Sequence, residues 1–293
     1  MKNKNTSNSK MICNIIMSIL AICFVLPLAY IISISLSDER MILDYGYRLI
    51  PKSISWKAYQ YIFQSPEIIL NAYGITILVT VCGTILSLLI TAMLAYSLSR
   101  TDFRYRRVAS FLVYFTMLFN GGLVPWYIVI SQYLHLKDKI AVMIVPYLLS
   151  AWFVLLMKGF LQSLPMEIFE SAKMDGAREF RIFFRIVLPL SKPGLATVGL
   201  FTALMYWNDW WLALLFVDDN RIIPIQLMLN RIMSNLAFLT SELGRNARID
   251  VSKFPNESAR MAMCALAAGP MIFVFPFFQK YFIRGLMVGS IKG

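Results

Sequence analysis

ESAKMDGAREFRIFFRIVLPLSKP, Glu170 to Pro193, is a charged island in an apolar chain. It carries Glu170, Lys173, Asp175, Arg178, Glu179, Arg181, Arg185 and Lys192, while long apolar stretches lie on both sides. Ionised side chains are expensive in hydrocarbon, so the island sits outside the membrane that its flanks imply. Asp175-Gly176 is a breaker pair between helix-favouring residues, which predicts two short helices joined by a turn. The first starts after Pro165, with Glu167 and Glu170 near the positive end of its dipole. The second runs from about Ala177 to Leu188. There Phe180, Phe183, Phe184, Val187 and Leu188 form an apolar stripe opposite Arg178, Arg181 and Arg185, the pattern of a helix lying along a membrane face.

The composition agrees with that placement. Of 293 residues, 58% are hydrophobic and 15% charged, and the mean hydropathy is +0.64, values of an integral all-α membrane protein. The net charge of +12 is explained by the membrane surface rather than by nucleic acid. Cys13, Cys23, Cys82 and Cys264 all fall in apolar stretches, which suggests neither a disulfide framework nor a metal site. The single histidine, His135, lies in a short polar loop and reads as solvated. Nothing resembles a metal or histidine-based catalytic centre.

Six spans are expected. After a polar start at residues 1–10, which resembles the head of a signal peptide but lacks a clear cleavage site, Met11 to Leu36 reads as a retained first span. It is long enough to cross a core about 30 Å thick. The others run from about Glu67 to Ser99, Val108 to Ser131, Ile140 to Met157, Gly194 to Val217 and Arg260 to Phe282. Thr, Gly and Ala in the second suit packing against neighbours. Asn120-Gly121-Gly122 and Pro125 predict that the third is bent or opened near its middle. With this threading 16 Lys and Arg fall on one side and 12 on the other, and acidic residues fall 5 against 10. The positive-inside rule then makes both termini cytoplasmic. The organisation is a cytoplasmic N-terminus over 1–10, a membrane domain over 11–282 with a cytoplasmic loop at 158–192, and a cytoplasmic tail over 283–293.

Glu170-Ser171-Ala172, Asp175-Gly176-Ala177, Phe183, Pro189 and Pro193 together resemble the EAA loop of ABC-importer membrane subunits. Ser171 stands where that family usually has Ala. FNGGLVPWYIV at Phe119 to Val129, WNDWW at Trp207 to Trp211 and the tail from Gln279 are similar to permeases for oligosaccharides and related sugars, so the resemblance covers nearly the whole chain. It implies a type I ABC importer permease fold in a bacterial cytoplasmic membrane. It also implies a homologous second permease subunit, two ATPase subunits and an extracytoplasmic solute-binding protein as partners, and a sugar as cargo. ATP and Mg would be bound by the partner ATPase, with no cofactor in this chain. The helix over Met166 to Met174 would dock on that ATPase, with Glu170 as its charged contact, Ala172 and Ala177 allowing close approach and Gly176 making the turn.

The chain has no Gly-x-x-x-x-Gly-Lys-Ser/Thr phosphate loop, nor any Gly-Lys dipeptide. A separate nucleotide-binding subunit is therefore expected for an importer. For the solute, Thr202, Tyr206 and Asp209 share a helical face, with Trp210 adjacent and Asn208 on the neighbouring face. Thr116, Asn120 and Tyr127 share another on the third span. Aromatic rings beside amides and a carboxylate suit a sugar; the plain alternative for the tryptophans is an interfacial belt. An ionisable Asp209 within a span faces a cavity or a partner. The loop from Asp218 to Arg260 would, by resemblance, meet the solute-binding protein; the plain alternative is a solvated loop. The alternative to an ATP-driven permease is a secondary transporter or channel, which has no reason to carry the EAA pattern. A membrane enzyme finds no clustered carboxylates, Ser/His pair or metal spacing.

Overall fold

A computed structural model describes residues 4–240 and 255–290. The outer loop expected over 218–260 and the terminal segments 1–10 and 283–293 therefore fall partly outside the described residues. Among the described residues the chain is helical, with one isolated antiparallel bridge, Ser37 to Ile54, and no strand. It divides into two compact units, Met1–Pro66 with Arg231–Pro270 and Glu67–Asn230 with Met271–Gly293.

In the first unit α1 (Lys4–Ser35) contains an apolar stretch, Lys10–Ser35, long enough to cross a membrane. Three serines fix its end: Ser33 Oγ donates to the Arg48 carbonyl (2.8 Å), Ser35 Oγ pairs with Tyr59 Oη (3.0 Å) and Ser37 Oγ donates to the Ser33 carbonyl (2.8 Å). Asp38 caps α2 (Glu39–Tyr45), and α3 (Lys57–Ile62) follows. Glu39 then meets the start of the long C-terminal helix Asn256–Ser290. Its carboxylate accepts from Glu257 N–H (2.9 Å), Ser258 N–H (3.0 Å) and Ser258 Oγ (2.9 Å), satisfying donors that a helix start leaves unpaired.

The second unit is built along α4 (Pro66–Ser99), 34 residues and so about 51 Å long. The bend expected in the third span is present. α5 (Arg106–Leu118) and α6 (Leu123–Ile128), the latter extended by a π turn to Tyr133, meet at 112°. Gly122 has φ +87, and Asn120 Oδ1 accepts from the Gly122 N–H at 2.8 Å. The fourth span is not a continuous helix from Ile140. Residues 140–147 form 3-10 turns, and α7 (Ala151–Gln162) leaves them at 52°. Pro146 supplies the reason, since it lacks an N–H and its ring collides with the carbonyl four residues back.

After α8 (Glu167–Met174) comes α9 (Glu179–Ile182), which runs through a π turn over Phe183–Val187 into α10 (Leu188–Leu190). α11 (Lys192–Asn208) turns away from that helical run by 81°. The fifth segment is likewise two helices, because α11 stops at Asn208 and α12 (Trp211–Phe216) begins anew. Asn208 Nδ2 donates to the Leu204 carbonyl (2.9 Å), and Asp209 Oδ2 accepts from Leu212 N–H (3.3 Å). Short polar side chains thereby compete with the backbone ladder where the helix breaks.

The expected loop after Asp218 holds a further helix, α13 (Ile225–Thr240), whose first N–H donates to Thr76 Oγ1 at 2.8 Å. The last helix, α14 (Asn256–Ser290), runs past the expected end of the sixth span near Phe282. Among the described residues three helices are long and apolar enough to cross a membrane, or up to six segments if each bent pair counts as one. Two apolar cores fill the second unit. One gathers Ala95, Leu98, Val154, Met157, Ile182 and Val198; the other gathers Val142, Leu212, Ala213, Phe216 and Leu227.

Removing the Glu39 carboxylate should destabilise the protein by about 0.5–2 kcal/mol, the range for a lost helix cap. Glu39→Gln keeps an acceptor oxygen and should lose less than Glu39→Ala. Thermal unfolding of detergent-purified protein measures both, and equal midpoints for wild type and Glu39→Ala would mean that water replaces the cap at no loss.

Candidate functional site

The island is organised by how α8 ends. Asp175 follows its last residue and Gly176 takes φ +73. The Gly176 N–H donates to the Lys173 carbonyl (3.0 Å) and the Ala177 N–H to the Ala172 carbonyl (3.0 Å). These two bonds form the Schellman closure, in which a left-handed residue lets the chain satisfy the helix's last carbonyls and reverse. No atom lies within 4 Å of the place a Cβ on Gly176 would occupy. Backbone conformation, not space, demands glycine, because an L-residue in that region costs about 1–2 kcal/mol.

The closure sets which face of α8 is free. Glu170, Ser171, Met174, Asp175 and Gly176 are exposed, Met174 at 88%. Phe169 and Ala172 point inward and pack with Tyr96, Ile182 and Phe183. At 7% exposure the small Ala172 side chain brings α8 close to this chain's own core, and Ala177 is half-buried against the same cluster.

A polar network holds α8 in place. Lys173 Nζ donates to Asp102 Oδ2 (2.7 Å) and lies 2.9 Å from Glu179 Oε1. Glu179 Oε2 accepts from Tyr96 Oη on α4 at 2.6 Å. Asp102 also takes a two-pronged contact from Arg100, Nε to Oδ1 at 3.2 Å and Nη2 to Oδ2 at 3.0 Å. The Arg100 side chain is only 8% exposed, and its guanidinium lies 4.8 Å above the Phe169 ring. The Lys173 ammonium, and then the Arg100 guanidinium, hold the Asp102 carboxyl down at about 2, so it is ionised at any physiological pH. Both carboxylates in turn raise the Lys173 ammonium above its ordinary value, with Asp102 the larger influence.

The second candidate region surrounds Asp209. Its Oδ1 accepts from Tyr147 Oη at 3.2 Å, the side chain is half-buried, and the exposed Trp210 and Trp211 rings meet edge-on at 5.8 Å. Tyr206 departs from its expected position on an open face. It is 2% exposed, its hydroxyl donates to the Ile144 carbonyl (3.0 Å), and its ring lies flat on Gly83, where a Cβ would come within 2.7 Å. Thr202 is fully buried, and its hydroxyl donates to the Val198 carbonyl (2.8 Å). Both side chains are buried and packed between helices. Asn208 is exposed.

On the third segment Thr116 and Asn120 are exposed before the bend, while Tyr127 lies beyond it, stacked on Phe216 at 5.1 Å. The expected common face of these three residues is absent, because the 112° break separates them. Sequence reasoning missed Tyr147, Lys173 and the Tyr96–Arg100–Asp102 group. One signal was available for the last: Asp102 is the single acid among the four cations of residues 100–107.

Residues 87–288 match the family described as binding-protein-dependent transport system inner membrane component. The chain belongs to that family. It is 38% identical over 276 residues to the polygalacturonan/rhamnogalacturonan transport system permease protein YtcP of Bacillus subtilis (strain 168), covering 93% of this chain and 94% of that one. It is 30% identical over 280 residues to the arabinooligosaccharides transport system permease protein AraQ of the same organism, covering 94% and 92%. Among solved structures, it matches a bacterial ABC transporter involved in the import of the acidic polysaccharide alginate. There the TM-score is 0.80 at 28% identity, over 96% of this chain and 99% of that chain.

Because the closure needs a left-handed residue but has open space around it, substitutions at 176 should rank by backbone preference. Gly176→Asn should keep most activity and stability, whereas Gly176→Val should lose about 1–2 kcal/mol and misdirect the loop. Thermal midpoints and uptake by the assembled transporter test the order; a valine variant equal to the asparagine variant would remove the conformational argument.

Proposed function

We propose that this chain is the pore-forming permease subunit of an ATP-driven importer that brings an oligosaccharide or related glycan-derived solute into the cell. The observation that carries the coupling part of this reading is the free face of α8, Glu170, Ser171, Met174 and Asp175, presented by a capped and anchored short helix. A charged, rigid projection of this kind suits docking into a groove on a separate ATPase, which supplies the nucleotide chemistry that this chain lacks the motif to perform. The chain itself is a conduit and not a catalyst. The solute assignment is supported by relatives whose names specify polygalacturonan/rhamnogalacturonan and arabinooligosaccharides, and by the alginate importer among solved structures.

In this reading both termini and the island are cytoplasmic, and six spans cross a bacterial cytoplasmic membrane. A homologous second permease, two ATPase subunits and an extracytoplasmic solute-binding protein complete the machine. ATP-driven closure of the ATPase pair moves the docked islands, and the spans alternate between inward- and outward-open forms. The solute path follows Asp209, Trp210, Asn208 and Asn120, which present polar and aromatic groups at accessible positions, with Tyr147 orienting Asp209. Tyr206, Thr202 and Tyr127 shape the wall behind it through packing.

Glu170→Lys should leave the chain inserted and folded, but lower ATPase co-purification and abolish uptake. Normal values of both would remove the docking role. Topology is tested by single cysteines at Met174 and Ile50, both strongly exposed, in a cysteine-free background. In intact wall-stripped cells an impermeant maleimide should label position 50 and spare 174, and the reverse pattern would invert the threading.

A further inference from the structure

We infer that Lys173 and Glu179 form a strut through which displacement of α8 reaches α4, and through α4 the helix packing behind Asp209. This inference rests on the coupling reading above and names the residues that would transmit it. The linkage is continuous in the second unit. α8 carries Lys173, Lys173 holds Glu179 and Asp102, Glu179 accepts from Tyr96 on α4, and Asp102 clamps Arg100 just past the end of α4. Aromatic contacts run alongside, with Tyr96 between Phe169 of α8 (6.3 Å) and Phe183 beyond α9 (5.6 Å).

α4 then acts as a rod. About 20 Å along it from Tyr96, Gly83 meets the Tyr206 ring so closely that no Cβ fits between them. Tyr206 fixes the Ile144 carbonyl, and Tyr147, three residues on, holds Asp209. At the far end Thr76 Oγ1 holds the Ile225 N–H, and Asn71 Nδ2 donates to the Arg221 carbonyl (2.6 Å).

Energetics separate a strut from a stabiliser. The Lys173 side chain is 39% exposed, and ion pairs this wet contribute about 0–1 kcal/mol each. Four charged groups and a tyrosine joined in one chain of contacts are thus poorly explained by stability alone. Their effect is to fix α8, α9 and the end of α4 as one body, so that a push on the Glu170 face is not absorbed by hinging at the Gly176 turn. Lys173 is accordingly a positioning residue.

The test uses the complete reconstituted transporter with a single cysteine at Trp210 in a chain lacking Cys13, Cys23, Cys82 and Cys264. An impermeant maleimide reports how much trapping with ATP, Mg and vanadate changes the labelling rate at 210, and ATP hydrolysis is measured in parallel. Lys173→Met and Glu179→Gln should each retain hydrolysis but shrink the nucleotide-dependent change by about tenfold, within the usual range of coupling between sites. Their double variant should be no worse than the worse single, and Lys173→Arg should restore the response.

Tyr96→Phe, which removes only the hydroxyl of a side chain that is 7% exposed, should weaken the response in the same direction. It also serves if the lysine variant assembles poorly. A full response in Lys173→Met, or losses that multiply in the double variant, would overturn the strut and leave the docking reading intact. A flat response in the otherwise unaltered chain would remove the coupling reading and the strut with it.

Discussion

The Lys173 ammonium between Asp102 and Glu179 is the contact on which the arrangement of the second unit turns. Without it, α8 would hang on the Schellman closure and the Phe169 anchor, both of which permit rotation about the helix's own axis. With it, the helix has a second, off-axis attachment, and the direction of its free face is fixed. The geometry also relieves a local difficulty. Arg100 is nearly buried, and a buried guanidinium is tolerable only when paired. Asp102 supplies the pair, and Lys173 offsets the charge that Asp102 brings. Each group is there because the next one is, so the cluster has one well-satisfied arrangement rather than several.

The same economy of polar groups governs where the helices break. Wherever the second unit departs from a straight span, a short polar residue, a glycine or a proline sits at the departure: Asn120 and Gly122, Pro146, Ser191 with Pro193, and Asn208 with Asp209. In a low-dielectric surrounding a broken backbone ladder leaves polar groups without water. The side chains at these breaks replace part of what the ladder loses, as Asn120 does for the Gly122 N–H and Asp209 for the Leu212 N–H. Breaks supported in this way place irregular backbone beside Asp209, Trp210 and Asn120, the positions proposed above for the solute path.

How much of this was legible in the sequence follows from the range of each interaction. The island, its two helices and the turn at Asp175-Gly176 were readable because breaker pairs, charge and periodicity are local signals. The bend at Asn120-Gly121-Gly122 was readable for the same reason. The fourth segment lies where the apolar run places it, but its 52° break at Pro146 is a detail that the apolar run by itself does not give. Tyr206 illustrates the opposite limit. Helical spacing placed it correctly beside Thr202, but which side of α11 is open depends on Gly83, 123 positions away in the chain, and periodicity carries no such information. The role of Lys173 is not legible in the sequence because its partners at 102 and 179 are joined to it only by the fold.

Gly83 and Gly176 then show two different uses of one residue type, one for space and one for backbone conformation. At Gly176 glycine is required for its φ of +73, and the space around it is open, so the turn is a place where chain direction can be set without crowding. At Gly83 the backbone is ordinary helix and the space is gone, so α4 and the Tyr206 ring must travel together or separate altogether. In the proposed coupling, the close-packed contact would carry a displacement of α4 onward, and the Lys173 strut would keep it from being taken up at the Gly176 turn. Close packing is bistable rather than elastic, so a displacement delivered to α4 is expected to be resolved at the Gly83–Tyr206 contact as one of two arrangements, not as a graded deformation.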